Sequence, residues 1–136
     1  MMILHDNLGS GNGYKVRLLL SHLGQPFKRI EYDVTKGETR TAEFLALNPD
    51  GRIPLLQFTD GRVLTQSNAI LFFLAQKTSY LPSDSFAQAQ ALQWMFFEQY
   101  SHEPNIAVAR YWLYFLDRAE VQQTQLEEKW QKGYQA

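Results

Sequence analysis

A change of pattern at "SYLPSDS", near residues 78–84, limits this chain to few architectures. Before it, apolar residues repeat every two positions in some segments and every three or four in others, which predicts strands alternating with helices. After it no strand pattern is found, and residues 86–118 read as helical with an interruption at "HEPN". The sequence therefore predicts an α/β domain over residues 1–78, a linker over 79–84 and an all-helical region over 85–136.

The predicted order of elements in the first region is β-α-β-α-β-β-α. "MMILH" and "FKRIEYDV" predict two strands joined through a helix, which favours a parallel pair. "IPLLQF" and "VLTQ" predict an antiparallel hairpin with Asp60–Gly61 at its tip. A last helix, "SNAILFFLAQKT", begins with Ser67 as its N-cap. These elements make a small mixed sheet covered by helices.

The helical region is rich in aromatic residues on most sides of its first helix. Eight of them fall between Trp94 and Phe115, and "EVQQTQLEEKWQKGYQA" begins only one further helix. Two helices cannot cover so many aromatic side chains. We therefore expect either that this helical domain is incomplete or that association with another chain buries these residues.

Composition excludes several classes of function. A net charge of −1 gives no basic field for nucleic acid or an anionic membrane surface, and the absence of cysteine excludes disulfides and thiolate metal sites. No apolar run reaches transmembrane length and no secretory leader pattern is present, so the expected location is cytoplasmic. His5, His22 and His102 lack the spacing of a metal site, and no metal cofactor is expected.

The stretch "LGSGNGYKVRLLL" is typical of a turn that holds a ligand. Its glycines and polar residues run directly into an apolar helix, an arrangement that lets a ligand approach free backbone N–H groups. Ser10 either caps this helix or takes part in chemistry, and the pattern alone favours capping.

Four segments together resemble the cytosolic glutathione transferases over the whole chain. They are "SGNGYKVRLLLSHLGQPF", "FLALNPDGRIPLL", "DGRVLTQSNAILFFLA" and "QWMFFEQYSHEPNIAVARYW". The resemblance implies a thioredoxin-like first domain that binds reduced glutathione and an all-helical second domain with more helices than are present here. The nearest match is the bacterial branch with a serine-type motif. Because the family's second domain has more helices, the resemblance also implies that this chain is truncated in that domain.

The resemblance places the catalytic hydroxyl at Ser10. The reactive form of glutathione is the thiolate, and a hydroxyl that donates to sulfur at the positive end of a helix stabilises that anion. Asn12 is the second candidate because its amide can also donate to sulfur. Tyr14 is less favoured because we expect it to lie inside the helix and pack.

The same resemblance implies where the rest of glutathione binds. Ile53 and Pro54 would form a cis peptide whose neighbouring backbone pairs with the cysteinyl part of the ligand. Gln66 and Ser67 would bind the γ-glutamyl end, and a residue of a partner subunit could meet its ammonium group. The glycyl carboxylate would be reached by Lys36, Arg40 and Arg52, although each of these could equally be a solvated surface charge.

The second substrate is expected to be electrophilic and apolar. Its pocket would be lined by Phe97, Tyr100, Ser101 and Asn105, for which core packing or a dimer interface is the competing interpretation.

The predicted function is a homodimeric detoxification enzyme, a glutathione S-transferase that attacks alkyl or aryl electrophiles with bound thiolate. A fragment of it could be weakly active or inactive. Isomerase, peroxidase and dehalogenase chemistry use the same thiol and are not separated by any residue here. The alternative is a non-enzymatic, dimerising scaffold or regulatory module of the same fold.

Overall fold

A computed structural model of the protein describes residues 1–116 and 123–136. The helical pattern predicted for residues 117–118 and the predicted start of the next helix at 120–122 lie outside the described residues. The chain divides into two units, residues 1–81 and residues 82–136.

The first unit has the predicted thioredoxin-like order of strands and helices. Its elements are β1 (Met2–Asp6), α1 (Gly11–His22), β2 (Phe27–Glu31), α2 (Ala42–Leu47), β3 (Leu55–Gln57), β4 (Val63–Thr65) and α3 (Ser67–Ala75). The polar stretch between β2 and α2 contains two 3₁₀ turns at Val34–Lys36 and Glu38–Arg40.

The four strands form one mixed sheet in the order β2-β1-β3-β4. β1 runs parallel to β2, with Met2 opposite Phe27, and antiparallel to β3, with Leu4 opposite Leu56. β3 and β4 form the predicted antiparallel hairpin. Gly61 at its tip has a φ of 85°, a conformation that residues with a Cβ rarely adopt.

The core of this unit lies between the sheet and the two helices α1 and α3. Val16 and Leu20, spaced one helical turn apart in α1, are fully buried together with Leu4, Leu56 and Ile70. Leu19 and Leu23, two further apolar residues at the end of this segment, are half-buried. The three-to-four-residue spacing of apolar residues in the sequence therefore identified the inner face of α1.

His5 lies in the middle of a buried aromatic cluster. Its Nε2 lies 3.2 Å from Gln57 Oε1 and its Nδ1 lies 3.0 Å from the Tyr32 hydroxyl. Because an amide oxygen only accepts, Nε2 carries a proton, and in the neutral imidazole Nδ1 accepts from the Tyr32 hydroxyl. Phe44 packs edge-on against both rings, with ring centroids 6.5 Å from His5 and 4.8 Å from Tyr32. The cluster thus holds the imidazole by hydrogen bonds at both ring nitrogens.

We expect acid to destabilise the first unit through His5. Burial lowers the pKa of His5, and the hydrogen bond with Gln57 offsets this only in part. The unfolded chain therefore binds a proton near the ordinary pKa of 6.5, before the folded chain does, so the free energy of unfolding falls as the pH drops through this value. Urea unfolding between about pH 7 and pH 5.5 measures the effect.

The matched variants are His5→Gln and His102→Gln, the second removing an exposed histidine. His5→Gln is expected to flatten the pH dependence of the unfolding free energy, whereas His102→Gln keeps it. Equal pH dependence in all three proteins would contradict the assignment.

The second unit contains only helices among its described residues. They are α4 (Ser85–Phe97), α5 (Glu103–Tyr114) and α6 (Gln123–Gln135). Asp84 caps α4 by accepting from the Ala87 N–H at 2.8 Å. Where the sequence predicted an interruption near Pro104, a kink or a break, a π-helical segment at Glu98–His102 joins α4 to α5. Pro104 lies in the first turn of α5, directly after that segment.

Contacts between α5 and α6 are close. Gly133 is buried, and a Cβ added there would overlap with the Ile106 side chain. Lys129 Nζ donates to the Pro104 carbonyl at 2.7 Å. Several aromatic side chains of the unit are nevertheless exposed, among them Trp94 at 69% and Phe96 at 63%. None of the helices described in either unit is both long enough and apolar enough to cross a bilayer.

Candidate functional site

Ser10 stands immediately before α1 and caps it. Its Oγ accepts a hydrogen bond from the Gly13 N–H at 3.1 Å. A serine hydroxyl can donate one hydrogen bond and accept two, so the cap leaves its O–H for another acceptor. Ser10 is half-buried, within reach of a small ligand. The capping prediction is confirmed, and the stabilisation of a thiolate by the same hydroxyl stays a prediction.

Hydrogen bonds hold the loop between β1 and Ser10. Asn7 donates through Nδ2 to the Tyr32 carbonyl at 2.9 Å and accepts through Oδ1 from the Gly9 N–H at 3.0 Å. The Ser10 N–H donates to the Asn7 carbonyl at 2.9 Å. Because Tyr32 directly follows β2, these bonds tie the Ser10 loop to the neighbouring strand.

The beginning of α3 differs from the sequence prediction. Ser67 was expected to be the N-cap, but Gln66 occupies that position, with a φ of 68° and a ψ of 113°, and Ser67 is the first helical residue. A positive φ in a residue with a side chain is strained, and such strain is often found at functional sites. The buried Ser67 donates through Oγ to Asn12 Oδ1 at 3.2 Å. The N-termini of α1 and α3 are therefore adjacent, and both present partial positive charge.

Strand register brings three loops to one edge of the sheet. Leu55, the first residue of β3, lies opposite His5 near the end of β1 and opposite Thr65 at the end of β4. The segments that follow β1 and β4 and the segment that precedes β3 consequently meet. They carry the predicted site residues Ser10, Asn12, Arg52, Ile53, Pro54, Gln66 and Ser67.

The peptide bond between Ile53 and Pro54 is cis, which confirms the conformation expected from the resemblance. Pro54 is buried and Ile53 half-buried. The buried Asn48 holds the preceding residue, donating through Nδ2 to the Arg52 carbonyl at 2.7 Å. Within the part of the chain that the structure describes, the Ile53 N–H and C=O form no backbone hydrogen bond.

The three basic residues predicted to reach the glycyl carboxylate differ in their surroundings. Lys36 pairs with Asp33 at 3.1 Å, and Arg40 donates through Nη1 to the Asp50 carbonyl at 3.1 Å. Arg52 is exposed, and its guanidinium has no hydrogen-bond or ion-pair partner among residues 1–116 and 123–136. Of the three, Arg52 therefore has the side chain most free to meet a ligand.

The four residues predicted to line an electrophile pocket belong to the second unit. Phe97 ends α4, Tyr100 and Ser101 lie in the π-helical segment, and Asn105 is in α5. Asn105 Nδ2 donates to the Ser101 carbonyl at 2.7 Å, so these two residues are in contact. Tyr100 is 85% exposed. Their role in binding a substrate stays a prediction.

A family model supplies the identity of the first unit. The model described as the glutathione S-transferase N-terminal domain matches residues 1–76, more than half of the chain. The chain belongs to the glutathione S-transferase family. The resemblance in the sequence is thereby confirmed at the level of the family.

Solved and curated relatives agree with this family. A crystal structure of a glutathione S-transferase from Pseudomonas fluorescens is 43% identical, with a TM-score of 0.95 over 98% of this chain and 67% of that one. Ure2p in complex with glutathione is 29% identical, with a TM-score of 0.81 over 97% of this chain and 58% of that one. Protein URE2 of Meyerozyma guilliermondii is 36% identical over 121 residues, 82% of this chain. The chain spans about two fifths of the length of that relative.

Tyr14, which we expected to pack inside this glutathione S-transferase domain, is 56% exposed. It lies in α1 as predicted, and the Arg17 guanidinium carbon lies 5.8 Å from the centroid of its ring. The expectation of packing was wrong because α1 buries a different face, the one formed by Gly13, Val16 and Leu20.

The sequence reasoning missed an ion pair between Asp6 and Arg17. Asp6 ends β1 and is fully buried, its Oδ2 pairs with Arg17 Nη1, and its Oδ1 has no hydrogen-bond partner in the part of the chain that the structure describes. Burial raises the pKa of Asp6, while hydrogen bonds from the Asn7 backbone and Arg17 act in the opposite direction. The available signals were an aspartate at the end of a buried strand and an arginine among the apolar residues of "YKVRLLL".

The histidines of this glutathione S-transferase chain have no shared ligand role. His5 belongs to the buried aromatic cluster, and His22 packs on Tyr80 with ring centroids 5.7 Å apart. No group of three or more His, Asp or Glu side chains within the described ranges is placed to hold a metal ion.

Proposed function

We propose that the chain binds reduced glutathione at the sheet edge where β1, β3 and β4 meet, and that Ser10 stabilises its thiolate. The observation that carries the proposal is the hydrogen bond from Ser67 to Asn12, which places the N-terminus of α3 beside that of α1 and its Ser10 cap. Two helix N-termini side by side favour a ligand with two separated anionic groups. Glutathione ionised at sulfur and at its γ-glutamyl carboxylate is such a ligand.

Each part of the ligand has a matching group in this arrangement. The γ-glutamyl carboxylate would meet Gln66, Ser67 and the free N–H groups of the first turn of α3. The unpaired N–H and C=O of Ile53 suit the backbone of the cysteinyl residue, as an added strand would. Arg52 would meet the glycyl carboxylate. Solved relatives in complex with glutathione support this assignment.

The chemistry that fits the site is attack of the bound thiolate on an electrophilic, largely apolar substrate. Sulfur at the N-terminus of α1 would accept a hydrogen bond from the Ser10 hydroxyl, which lowers the pKa of the thiol. The rate gain would come from this stabilisation and from placement of the sulfur. The electrophile would be bound by Phe97, Tyr100, Ser101 and Asn105, in a homodimeric, cytoplasmic detoxification enzyme.

We also infer that the chain belongs to the bacterial, serine-type branch of the transferases. The 43% identity with the Pseudomonas fluorescens enzyme supports that assignment. In this proposal residues 1–78 form the glutathione-binding domain, residues 79–84 the linker, and residues 85–136 belong to the helical domain.

A non-enzymatic scaffold or regulatory module is the second candidate. The exposed aromatic side chains of the second unit favour it because such surfaces are typical of association. Retention of the Ser10, Ile53–Pro54 and Gln66–Ser67 elements at one sheet edge favours the enzyme.

A calorimetric titration with reduced glutathione distinguishes the two. We expect the 136-residue chain to bind glutathione at millimolar concentration and to release a proton from the thiol near neutral pH. The heat of binding should then depend on the ionisation enthalpy of the buffer. S-methyl glutathione cannot ionise at sulfur, so its heat of binding should not depend on the buffer. A folded sample that gives no heat with either ligand would favour the scaffold.

A further inference from the structure

The buried pair of Asp6 and Arg17 lies directly behind the Ser10 loop. Arg17, in the second turn of α1, donates to Asp6, to the Leu8 carbonyl at 3.0 Å and to the Asn7 carbonyl at 3.3 Å. Its side chain is only 16% exposed and that of Asp6 is fully buried. One guanidinium therefore joins the end of β1, the loop and the helix that Ser10 caps.

We propose that Asp6 and Arg17 are positioning residues for Ser10: the pair holds the loop that carries the hydroxyl and neutralises the carboxylate buried beside it. The inference rests on the proposed function, because it concerns the thiolate that Ser10 would stabilise. It adds two residues that lie behind the site and would not touch glutathione.

The way in which the pair holds the loop follows from shared hydrogen bonds. The Asn7 carbonyl accepts from both Arg17 and the Ser10 N–H, which lies 2.9 Å away. Loss of the guanidinium would remove one hydrogen bond from the Leu8 carbonyl and one from the Asn7 carbonyl, and the Ser10 hydroxyl would be held less firmly in its direction. A hydrogen bond weakens steeply when its angle departs from linearity, so a small displacement of Ser10 would weaken its bond to sulfur.

The electrostatic part follows from the position of the Asp6 carboxylate. A methyl group added at Gly13 would lie 2.7 Å from Asp6 Cγ, and the Gly13 nitrogen is 3.1 Å from Ser10 Oγ. Since the nitrogen and Cβ of one residue are two bonds apart, the carboxylate lies within about 8 Å of the Ser10 hydroxyl. That is about the screening length at physiological ionic strength, and the path is through protein. An unpaired carboxylate there would oppose a thiolate.

Other charges near the pair are few. Arg29 of β2 acts on the Asp6 carboxylate through its positive charge but is itself paired with Glu31. Glu31 Oε1 also accepts from the Leu8 N–H at 2.8 Å. From α1, Lys15 lies two residues before Arg17 and donates to Asn68. β3 and α3 carry no charged residue. Arg17 is thus the one cation paired with Asp6 among the described residues.

The test compares the binding of two ligands, glutathione and S-methyl glutathione, to variants that should shift the thiol pKa in opposite directions. The pKa of bound glutathione is read from the pH dependence of thiolate absorbance, and affinity for S-methyl glutathione reports binding without ionisation. Arg17→Met should raise the thiol pKa by about one unit because it leaves a carboxylate unpaired, and the thiolate should fall up to tenfold at a pH below the wild-type thiol pKa. Asp6→Asn, which keeps shape and leaves the guanidinium charge uncompensated, should lower the thiol pKa. Affinity for S-methyl glutathione should change less than about threefold in both.

Two further variants make the test decisive. Arg17→Lys keeps the positive charge but not the planar group, and its thiol pKa should lie close to the wild-type value. It also serves as the folded variant if Arg17→Met does not fold. Lys28→Met removes an exposed charge of β2 and should change nothing. Shifts of the thiol pKa in the same direction for Asp6→Asn and the Arg17 variants, or losses of S-methyl glutathione affinity as large as the thiolate losses, would overturn the inference. If wild-type protein and Ser10→Ala bind glutathione with the same thiol pKa, the proposed role of Ser10 fails instead, and this inference fails with it.

Discussion

Replacement of Ser10 by alanine is expected to raise the pKa of the glutathione thiol by about one to two units and to reduce turnover by up to about 10- to 100-fold at a pH below the wild-type thiol pKa. The hydroxyl forms a stronger hydrogen bond with the thiolate than with the neutral thiol. Its removal therefore destabilises the thiolate selectively. The shift corresponds to roughly 1.4–2.7 kcal/mol, which one charge-assisted hydrogen bond can supply. The measurement is the pH profile of kcat/KM with an aryl halide, together with thiolate absorbance in the binary complex.

The same substitution also removes a helix cap, so a control must separate stability from chemistry. Ser10→Ala should cost about 1 kcal/mol of unfolding free energy, because the Gly13 N–H loses its acceptor. Thr41→Ala removes an equivalent cap from α2, where the hydroxyl accepts from the Phe44 N–H at 3.2 Å. We expect Thr41→Ala to match the loss of stability and to leave the thiol pKa unchanged. A wild-type thiol pKa in Ser10→Ala would rule out the catalytic role.

The order of elements could be predicted from the sequence because the apolar residues of each buried face recur at a regular spacing along the chain. Val16 and Leu20 are one turn apart in α1, and the hairpin is marked by Asp60–Gly61. The grouping of Ser10, Ile53 and Gln66 was implied by the family resemblance, and strand register brings their loops together. The helix face and the hairpin, by contrast, are local features. These features depend on residues close together in the chain.

What the sequence did not predict depends on contacts between distant residues. Ser67 has the residue type of an N-cap, yet the backbone of Gln66 takes that position and the Ser67 hydroxyl bonds to Asn12 on another helix. The ion pair of Asp6 with Arg17 requires the angle at which α1 crosses the end of β1. Residue type predicts which bonds a side chain can form, and the tertiary fold decides which of them it does form.

Gly13→Ala is expected to destabilise the first unit by about 2–3 kcal/mol, although alanine is the better helix former. A Cβ at this position would overlap with Oδ1 of Asp6. The end of a side chain can often move aside, but this carboxylate is fully buried and its other oxygen is held by Arg17. The α1 backbone would have to shift instead, against the packed Val16 and Leu20. Urea unfolding of the purified variant measures the loss.

Gly11→Ala provides the matched control two residues earlier in the same helix. A Cβ there would have no neighbour within 4 Å, so its effect on unfolding free energy should stay within about 0.5 kcal/mol. The double variant Gly13→Ala with Asp6→Ala tests the cause. Truncation of Asp6 removes the overlapping oxygen. The loss of unfolding free energy in the double variant should therefore be smaller than the sum of the two single losses by at least about 1 kcal/mol. Additive losses would mean that Gly13 is required for a reason other than the buried carboxylate, and the close packing of α1 against the end of β1 would then need another explanation.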